Sequence, residues 1–427
     1  MLMSGPRESG RGSQALVLAA VTAWVVVRYL QLKYAGPGIG SDVNLYHSYA
    51  RSWGSGATPY VDFRPEYPPG ALPIFLIPLL MGGADYAHNF AVEMACFDLA
   101  ACLVVVAWAR RLYAGNPYLQ AQSLAVYLLM TAALYPVLYT RFDLAPAAIA
   151  MGGLYLIYVN RWRTGLVLLG FAGAVKLWPF ALLPIPLLIC YRRGRWGRLF
   201  EAGAWASVGV LLPVAPILQR AGWSVLSFLQ YHAARGIEIG ATWSTAALAL
   251  NLLGIVPAHA EHDFGAFHVK GAAAAIFATV SMPALVLLAM APQVRAAWRV
   301  GRADDSAGSV GLAAASASVL GFMIAGKVLS PQFALWLVPF LPLVMNRPLT
   351  AVVAVVSAAL TTAEYPFLAA PLEMLEPGHA RAVIVVGIRN ALFIVLYVVA
   401  WRRITQKPRE SPVSGNATRL APRGVLL

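Results

Sequence analysis

The stretch TGLVLLGFAGAVKLWPFALLPIPLLICY, Thr164 to Tyr191, is preceded by Arg161 and Arg163 and followed by Arg192, Arg193, Arg195 and Arg198. As continuous helix it reaches about 42 Å, too little for two passes through a hydrocarbon core about 30 Å thick. Arginines in short loops remain on the cytoplasmic face, so both ends of the stretch belong to that face. The chain must therefore leave and return through two short or broken helices that meet at Lys176-Leu177-Trp178-Pro179. Irregular backbone at membrane depth persists only where protein or a wet cavity surrounds it. A lysine costs about 2.5–3.5 kcal/mol at a helix centre, which makes Lys176 a functional candidate.

The rest of the chain fits that frame. Of its 427 residues, 59% are hydrophobic and only 12% charged, with a mean hydropathy of +0.67. A soluble domain carries about 25% charged residues, so a cytosolic or secreted globular enzyme is excluded. Apolar blocks recur at about 14–32, 86–109, 119–138, 144–160, 199–218, 271–291, 309–326, 332–345, 349–367 and 382–401. The first is too long for a signal-peptide core and lacks a cleavage site, so a retained helix is expected. The net charge of +14 does not point to nucleic acid, because the arginines cluster beside the blocks as topology signals. Three cysteines, Cys96, Cys102 and Cys190, lie within apolar blocks and read as packing residues.

Arg110/Arg111, Arg295/Arg299/Arg302, Arg347 and Arg402/Arg403 mark the cytoplasmic side, while most carboxylates fall on the other. The expected class is an all-α polytopic membrane protein with both termini cytoplasmic. Its layout is an N-terminal tail 1–13, a membrane domain 14–401 and a basic disordered tail 402–427. Two long outer loops, about 34–85 and 220–270, contain interfacial pieces near 70–83 and 241–256. Loops longer than about 12–15 residues are usually functional, so chemistry is expected on the outer face.

Asp42, Tyr46 and Tyr49 share one helical face at i, i+4 and i+7. A carboxylate there serves as a general base or caps its helix. Asp62 and Glu66 compete for the role of base. Thr140-Arg141-Phe142-Asp143 joins two spans, and a local Arg–Asp pair would close that turn. Tyr231-His232-Ala233-Ala234-Arg235-Gly236 offers a bidentate anion grip, and Lys327 another cation. Lys176, Arg141, Arg235 and Lys327 all fall on the outer face, against the trend of the other cations. Held there, they suit an anionic ligand such as a lipid phosphate. The spacing of His259, His262 and His268 is a poor metal signature.

Five motifs in order carry a family resemblance. They are Asp42…Tyr46…Tyr49-Ala50…Pro59-Tyr60…Tyr67-Pro68-Pro69, Arg141-Phe142-Asp143-Leu144-Ala145-Pro146, Gly173-Ala174-Val175-Lys176-Leu177-Trp178-Pro179, Tyr231-His232-Ala233-Ala234-Arg235-Gly236-Ile237-Glu238 and Lys327-Val328-Leu329-Ser330-Pro331-Gln332-Phe333. Together they resemble the GT-C polytopic glycosyltransferases, in particular family 87, the polyprenol-phosphate-mannose-dependent mannosyltransferases of actinobacterial envelopes. The resemblance implies a GT-C-like bundle of about a dozen helices in a bacterial cell membrane, with its active site opening outward. It implies inverting transfer from a polyprenyl-phosphate-linked sugar to a glycolipid or envelope glycan, with Asp42 as base. Lys176, Arg235, Arg141, Lys327, His232, Tyr46 and Tyr67 would bind the donor phosphate or substrate. No cofactor and no metal are implied beyond the lipid-linked sugar phosphate as substrate. A transporter or flippase of lipid-linked sugars is the rival reading, opposed by the lack of a visible internal repeat.

Overall fold

The computed structural model describes residues 18–19, 21–31, 41–83, 85–192, 195–300, 307–364 and 380–406. The tails 1–13 and 407–427, and the loop entry 32–40, lie outside them. Among the described residues, five helices are long and apolar enough to cross a membrane: Tyr86–Leu112, Trp196–Ala234, Ala272–Arg299, Gly308–Ala325 and Ala380–Thr405. Shorter apolar helices at Ala71–Leu80, Leu144–Tyr158, Trp162–Val175, Trp178–Leu188 and Pro348–Ala363 pack among them. This is an all-α polytopic membrane fold.

Burial separates the inner helices from the outer ones. Gly308–Ala325 has 83% of its apolar window buried, against 22% for Ala272–Arg299. The latter turns Ile276, Val286 and Leu287 outward, as a helix facing lipid must. The 39-residue apolar element Trp196–Ala234 is longer than a crossing needs. It is broken at Gly222, whose φ of +54° and ψ of −144° end the helix Trp196–Ala221. Helix Trp196–Ala221 is long enough for the crossing by itself, and the Gly222–Leu226 turn and Ser227–Ala234 helix follow it.

The decisive stretch breaks as its sequence requires. Helix Trp162–Val175 stops at Lys176, which is extended at φ −153° and ψ 140°, and a 3-10 turn Trp178–Leu182 leads into helix Pro184–Arg192. Pro179 starts the 3-10 turn without loss, because its missing N–H falls where no intrahelical bond is due.

Three regions differ from the sequence expectation. Residues 332–345 do not form one span: a 3-10 turn Pro331–Leu337 and a short helix Leu341–Val344 replace it. Pro339 and Pro342 remove amide donors, and the segment is buried in protein rather than exposed to lipid. The block 119–138 divides into Pro117–Ala133 and Tyr135–Leu138, separated at Leu134 just before Pro136. The second outer loop contains a three-stranded antiparallel sheet, Ile237–Glu238, Ala266–Lys270 and His259–Asp263 in spatial order. Ile237 pairs with Val269, and Ala260 pairs with Val269 from the other side. The interfacial piece near 241–256 is a helix, Thr242–Leu252.

Candidate active site

Helix Ser41–Gly54 places Asp42 in its first turn and Tyr46 one turn later, on the face turned into the protein. Tyr46 stacks on Phe75, with centroids 4.3 Å apart and planes at 5°, and meets Tyr67 and Phe142 edge-on at 5.8 and 5.6 Å. Tyr46 and Tyr67 are 1% and 9% exposed, so these two rings form the floor beneath Asp42. Offset and edge-on pairs contribute about 0.5–1.5 kcal/mol each beyond area burial, enough to fix this helix over the floor.

The first loop is clamped to the helix break. The Gly70 N–H donates to the carbonyl of Ala174 at 2.9 Å, and a Cβ at position 70 would lie 2.5 Å from the Ala174 carbonyl carbon. Only glycine allows this approach. The Pro68-Pro69-Gly70 corner thus brings the Asp42 loop to the residue pair preceding Lys176.

Two acid–cation pairs result, joined through one tripeptide. The Arg141 guanidinium pairs with the Asp42 carboxylate, and the Tyr46 hydroxyl lies 3.5 Å from Asp42 Oδ2. Lys176 Nζ lies 2.5 Å from Asp143 Oδ1, which also accepts from Trp336 Nε1 at 2.7 Å. Each of Arg141 and Asp143 is therefore engaged outside the turn, rather than only with the other as the sequence allowed. Phe142 sits between the pairs, 4.7 Å from Lys176 Nζ, with Trp336 on the other side at 5.5 Å. Asp143 is 1% exposed, whereas the Asp42 side chain is 24% exposed. Of these two, Asp42 is the carboxylate that a ligand can reach.

Of the competing carboxylates, Asp62 accepts from the Thr58 N–H at 2.7 Å and closes an exposed turn. Glu66 is half-buried and acts electrostatically on Tyr49, Tyr67, Tyr231, His232 and Lys176, which puts it within the same cluster.

The second loop and the segment following helix Ala307–Ala325 supply the remaining cations. Arg235 follows helix Ser227–Ala234, its guanidinium 5.9 Å from the Tyr231 ring, and its Nε is buried without a hydrogen-bond partner. Lys327 Nζ donates to the Ala233 carbonyl at 2.8 Å. Burial and then the Arg235 charge push the Lys327 amine below its ordinary range. His232 is pushed down to about 4, first by burial and then by Arg235, so its imidazole is neutral at neutral pH. Among the described residues, neither Arg235 nor Lys327 forms an ion pair with a carboxylate.

Two supporting residues carried no sequence signal of their role. Glu238 holds the Lys327 loop by accepting from the Leu329 N–H at 2.7 Å and the Ser330 hydroxyl at 2.5 Å. Trp336 orients Asp143 from a segment 193 residues away. Among the described residues, no group of three His, Cys, Asp or Glu side chains is placed to hold a metal. These motifs thus present a partly exposed carboxylate, a second, buried acid–lysine pair, and cations from two further segments. Such a set is able to accept a proton and to hold an anion.

No family model matches the sequence, and no curated protein matches it. Among solved structures, a crystal structure of ArnT from Cupriavidus metallidurans in the apo state aligns with a TM-score of 0.48 and 15% identity, covering 92% of this chain and 77% of that one. That likeness is too distant to assign a fold family or an activity. The class defined here is an all-α polytopic membrane protein with an acid–cation cluster.

Proposed function

We propose that the chain is a membrane glycosyltransferase with a GT-C-like fold. It moves a sugar, mannose in the first instance, from a polyprenyl-phosphate carrier to a hydroxyl of a glycolipid or envelope glycan on the outer face. The observation that carries the reading is the partly exposed Asp42 carboxylate held by Arg141, joined through one tripeptide to the Lys176–Asp143 pair, with Arg235 and Lys327 supplied by two further segments.

The chemistry asks little more of the protein. A polyprenyl phosphate is already a good leaving group, so a second carboxylate acting as acid, as glycosidases require, is unnecessary. Asp42 takes the proton from the acceptor hydroxyl as the hydroxyl oxygen attacks the anomeric carbon. The bond from that carbon to the phosphate oxygen breaks on the opposite face, giving inversion, and the electron pair leaves with the phosphate. Lys176 and Arg235 stabilise the charge growing on that oxygen, with Arg141 and Lys327 beside them. Arg141 also holds the Asp42 carboxylate in place, and the aromatic floor of Tyr46 and Tyr67 fixes the height of its helix.

The test is transfer in proteoliposomes supplied with radiolabelled polyprenyl-phosphate-mannose and a host lipid extract, followed by the glucose and arabinose donors. Wild-type protein is expected to form a labelled glycolipid, and Asp42→Asn is expected to form almost none. Label that crosses the bilayer equally with both proteins, without a new product, would replace this reading with a lipid-linked-sugar flippase.

A further inference from the structure

On the face that carries the arginine clusters, away from the outer motifs, a cavity of about 440 Å³ opens between the ends of four segments. Its walls include Tyr113, Ser309, Leu343, Asn346, Arg347 and Arg403. Arg403 donates to the Asn346 side-chain oxygen, and the Tyr113 hydroxyl donates to the Leu343 carbonyl, so the walls are tied across the cavity mouth. Arg347 lies close enough to Arg403 to repel it, and among the described residues no carboxylate pairs with either.

Topology explains arginines on this face, but not two of them lining one cavity with no carboxylate paired to them among the described residues. Arg195 and Arg198 are exposed, whereas Arg403 is half-buried in the cavity wall with Arg347 beside it. Two guanidiniums held near each other raise the energy of the empty site, and an anion between them removes that cost. Three helices also begin at the rim, Pro117–Ala133, Ala307–Ala325 and Pro348–Glu364, and the positive ends of helices favour the same charge. The remaining walls are apolar, with Leu112, Leu119 and Leu312 among them. A planar guanidinium pair matches phosphate oxygens bidentately, and basic pockets between helices on this side suit lipid head groups.

We propose that this cavity is a binding site for a phosphate group, presented by an anionic lipid head group or by soluble phosphate. The site is separate from the outer cluster, and the proposal does not rest on the transferase reading.

Native mass spectrometry of the full-length protein in detergent, titrated with phosphatidylglycerol or phosphatidylcholine, tests it. Wild type is expected to retain phosphatidylglycerol in preference to phosphatidylcholine. Arg347→Gln is expected to weaken that retention about tenfold, the effect of losing one charge-assisted bond. The double variant Arg347→Gln/Arg403→Gln is expected to abolish it. Arg402→Gln, which removes the exposed neighbouring charge, is expected to leave it unchanged. Inorganic phosphate is the second arm: if it displaces phosphatidylglycerol from wild type, the free anion suffices, and if it does not, the lipid is the source. Arg347 is exposed and its substitution spares the Arg403–Asn346 bond, so that variant decides the matter even if the double variant misfolds. Equal retention by Arg347→Gln and Arg402→Gln, or wild type preferring neither phosphatidylglycerol nor phosphate, would overturn the proposal.

Discussion

Among the described residues, the arginine–aspartate pairs Arg28–Asp98 and Arg141–Asp42 differ in how deeply the carboxylate is buried. At Asp98, within helix Tyr86–Leu112, every acceptor position is taken. Oδ2 accepts from Arg28 Nε and Trp24 Nε1, both at 2.6 Å, and Oδ1 accepts from Arg28 Nη2 at 3.1 Å and the Tyr127 hydroxyl at 2.6 Å. Arg28 further donates to Thr131 Oγ1 and Gln31 Oε1, each at 2.6 Å. Arg28 is 3% exposed and Asp98 fully buried. At the other pair the Asp42 side chain is 24% exposed, and beside the Tyr231 ring Arg235 keeps a buried Nε with no hydrogen-bond partner. A fully buried pair with a saturated carboxylate locks helices together, whereas a partly exposed one is placed to meet a ligand. The same residue types therefore do different work according to how deeply the protein buries them.

The comparison breaks first at Asp98. Asp98→Asn leaves Arg28 buried and uncompensated, and is expected to cost about 3–5 kcal/mol of stability in detergent, read as a large fall in melting temperature. Replacing both partners, Arg28→Met with Asp98→Leu, should recover most of that loss, because a well-packed apolar pair is often as stable as a buried ionic one. Failure of the double variant to recover would mean that the network carries more than helix packing.

Lys176→Met tests the intermediate case, a buried pair lying inside the proposed site. Transfer is expected to fall about 10²-fold, as when one donor to a developing oxyanion is removed. Lys176→Arg should restore part of it. A melting temperature that collapses while the rate per folded molecule holds would place Lys176 with Asp98 as a structural residue.

Gly70→Ala sharpens the comparison by loosening the clamp without touching a charge. Its Cβ would lie 2.5 Å from backbone that cannot move aside easily, so a destabilisation of about 1–3 kcal/mol is expected. Transfer should fall as well, because the Asp42 loop and Lys176 would separate. A rate unchanged in Gly70→Ala would show that the loop clamp is not needed for the chemistry.

The smallest effect concerns pH. His232 titrates near 4 in the folded protein, below the ordinary histidine value of 6.5. Between those values the unfolded chain binds the extra proton, so this residue makes stability rise with pH from 4 to 6.5 and adds no slope above. His232→Gln should flatten the melting-temperature profile in that window alone. A change in slope above pH 7 would show that the imidazole is not held neutral.

Much of this was legible before any coordinates. The break at Lys176 follows from counting residues between two basic clusters, a constraint of length that tertiary structure cannot evade. The first-loop helix followed from the i, i+4, i+7 spacing of Asp42, Tyr46 and Tyr49. Residues 332–345 did not, because a continuous apolar run specifies burial and leaves the backbone path to its prolines and neighbours. The small sheet was hidden for a related reason: Ile237–Glu238 is two residues long, too short to show alternation. Within the cluster, single residues were visible and their partners were not. Asp143 finds Lys176 and Trp336, 33 and 193 positions away, and Arg28 finds Asp98 across 70. Pairings at that separation are set by how helices pack, which composition and spacing do not encode.

The most direct test measures Asp42→Asn and Asp98→Asn side by side, for transfer rate per folded molecule and for melting temperature. Asp42→Asn is expected to lose transfer by about 10²–10⁴-fold, the usual contribution of a general base, and to melt lower than wild type by much less than Asp98→Asn, because Asp42 is partly exposed although its partner Arg141 is buried. Asp98→Asn is expected to melt far lower while its folded fraction turns over normally. If Asp42→Asn retains full transfer, or if the two variants lose rate and stability in the same proportion, the distinction between an open working pair and a saturated structural one is wrong.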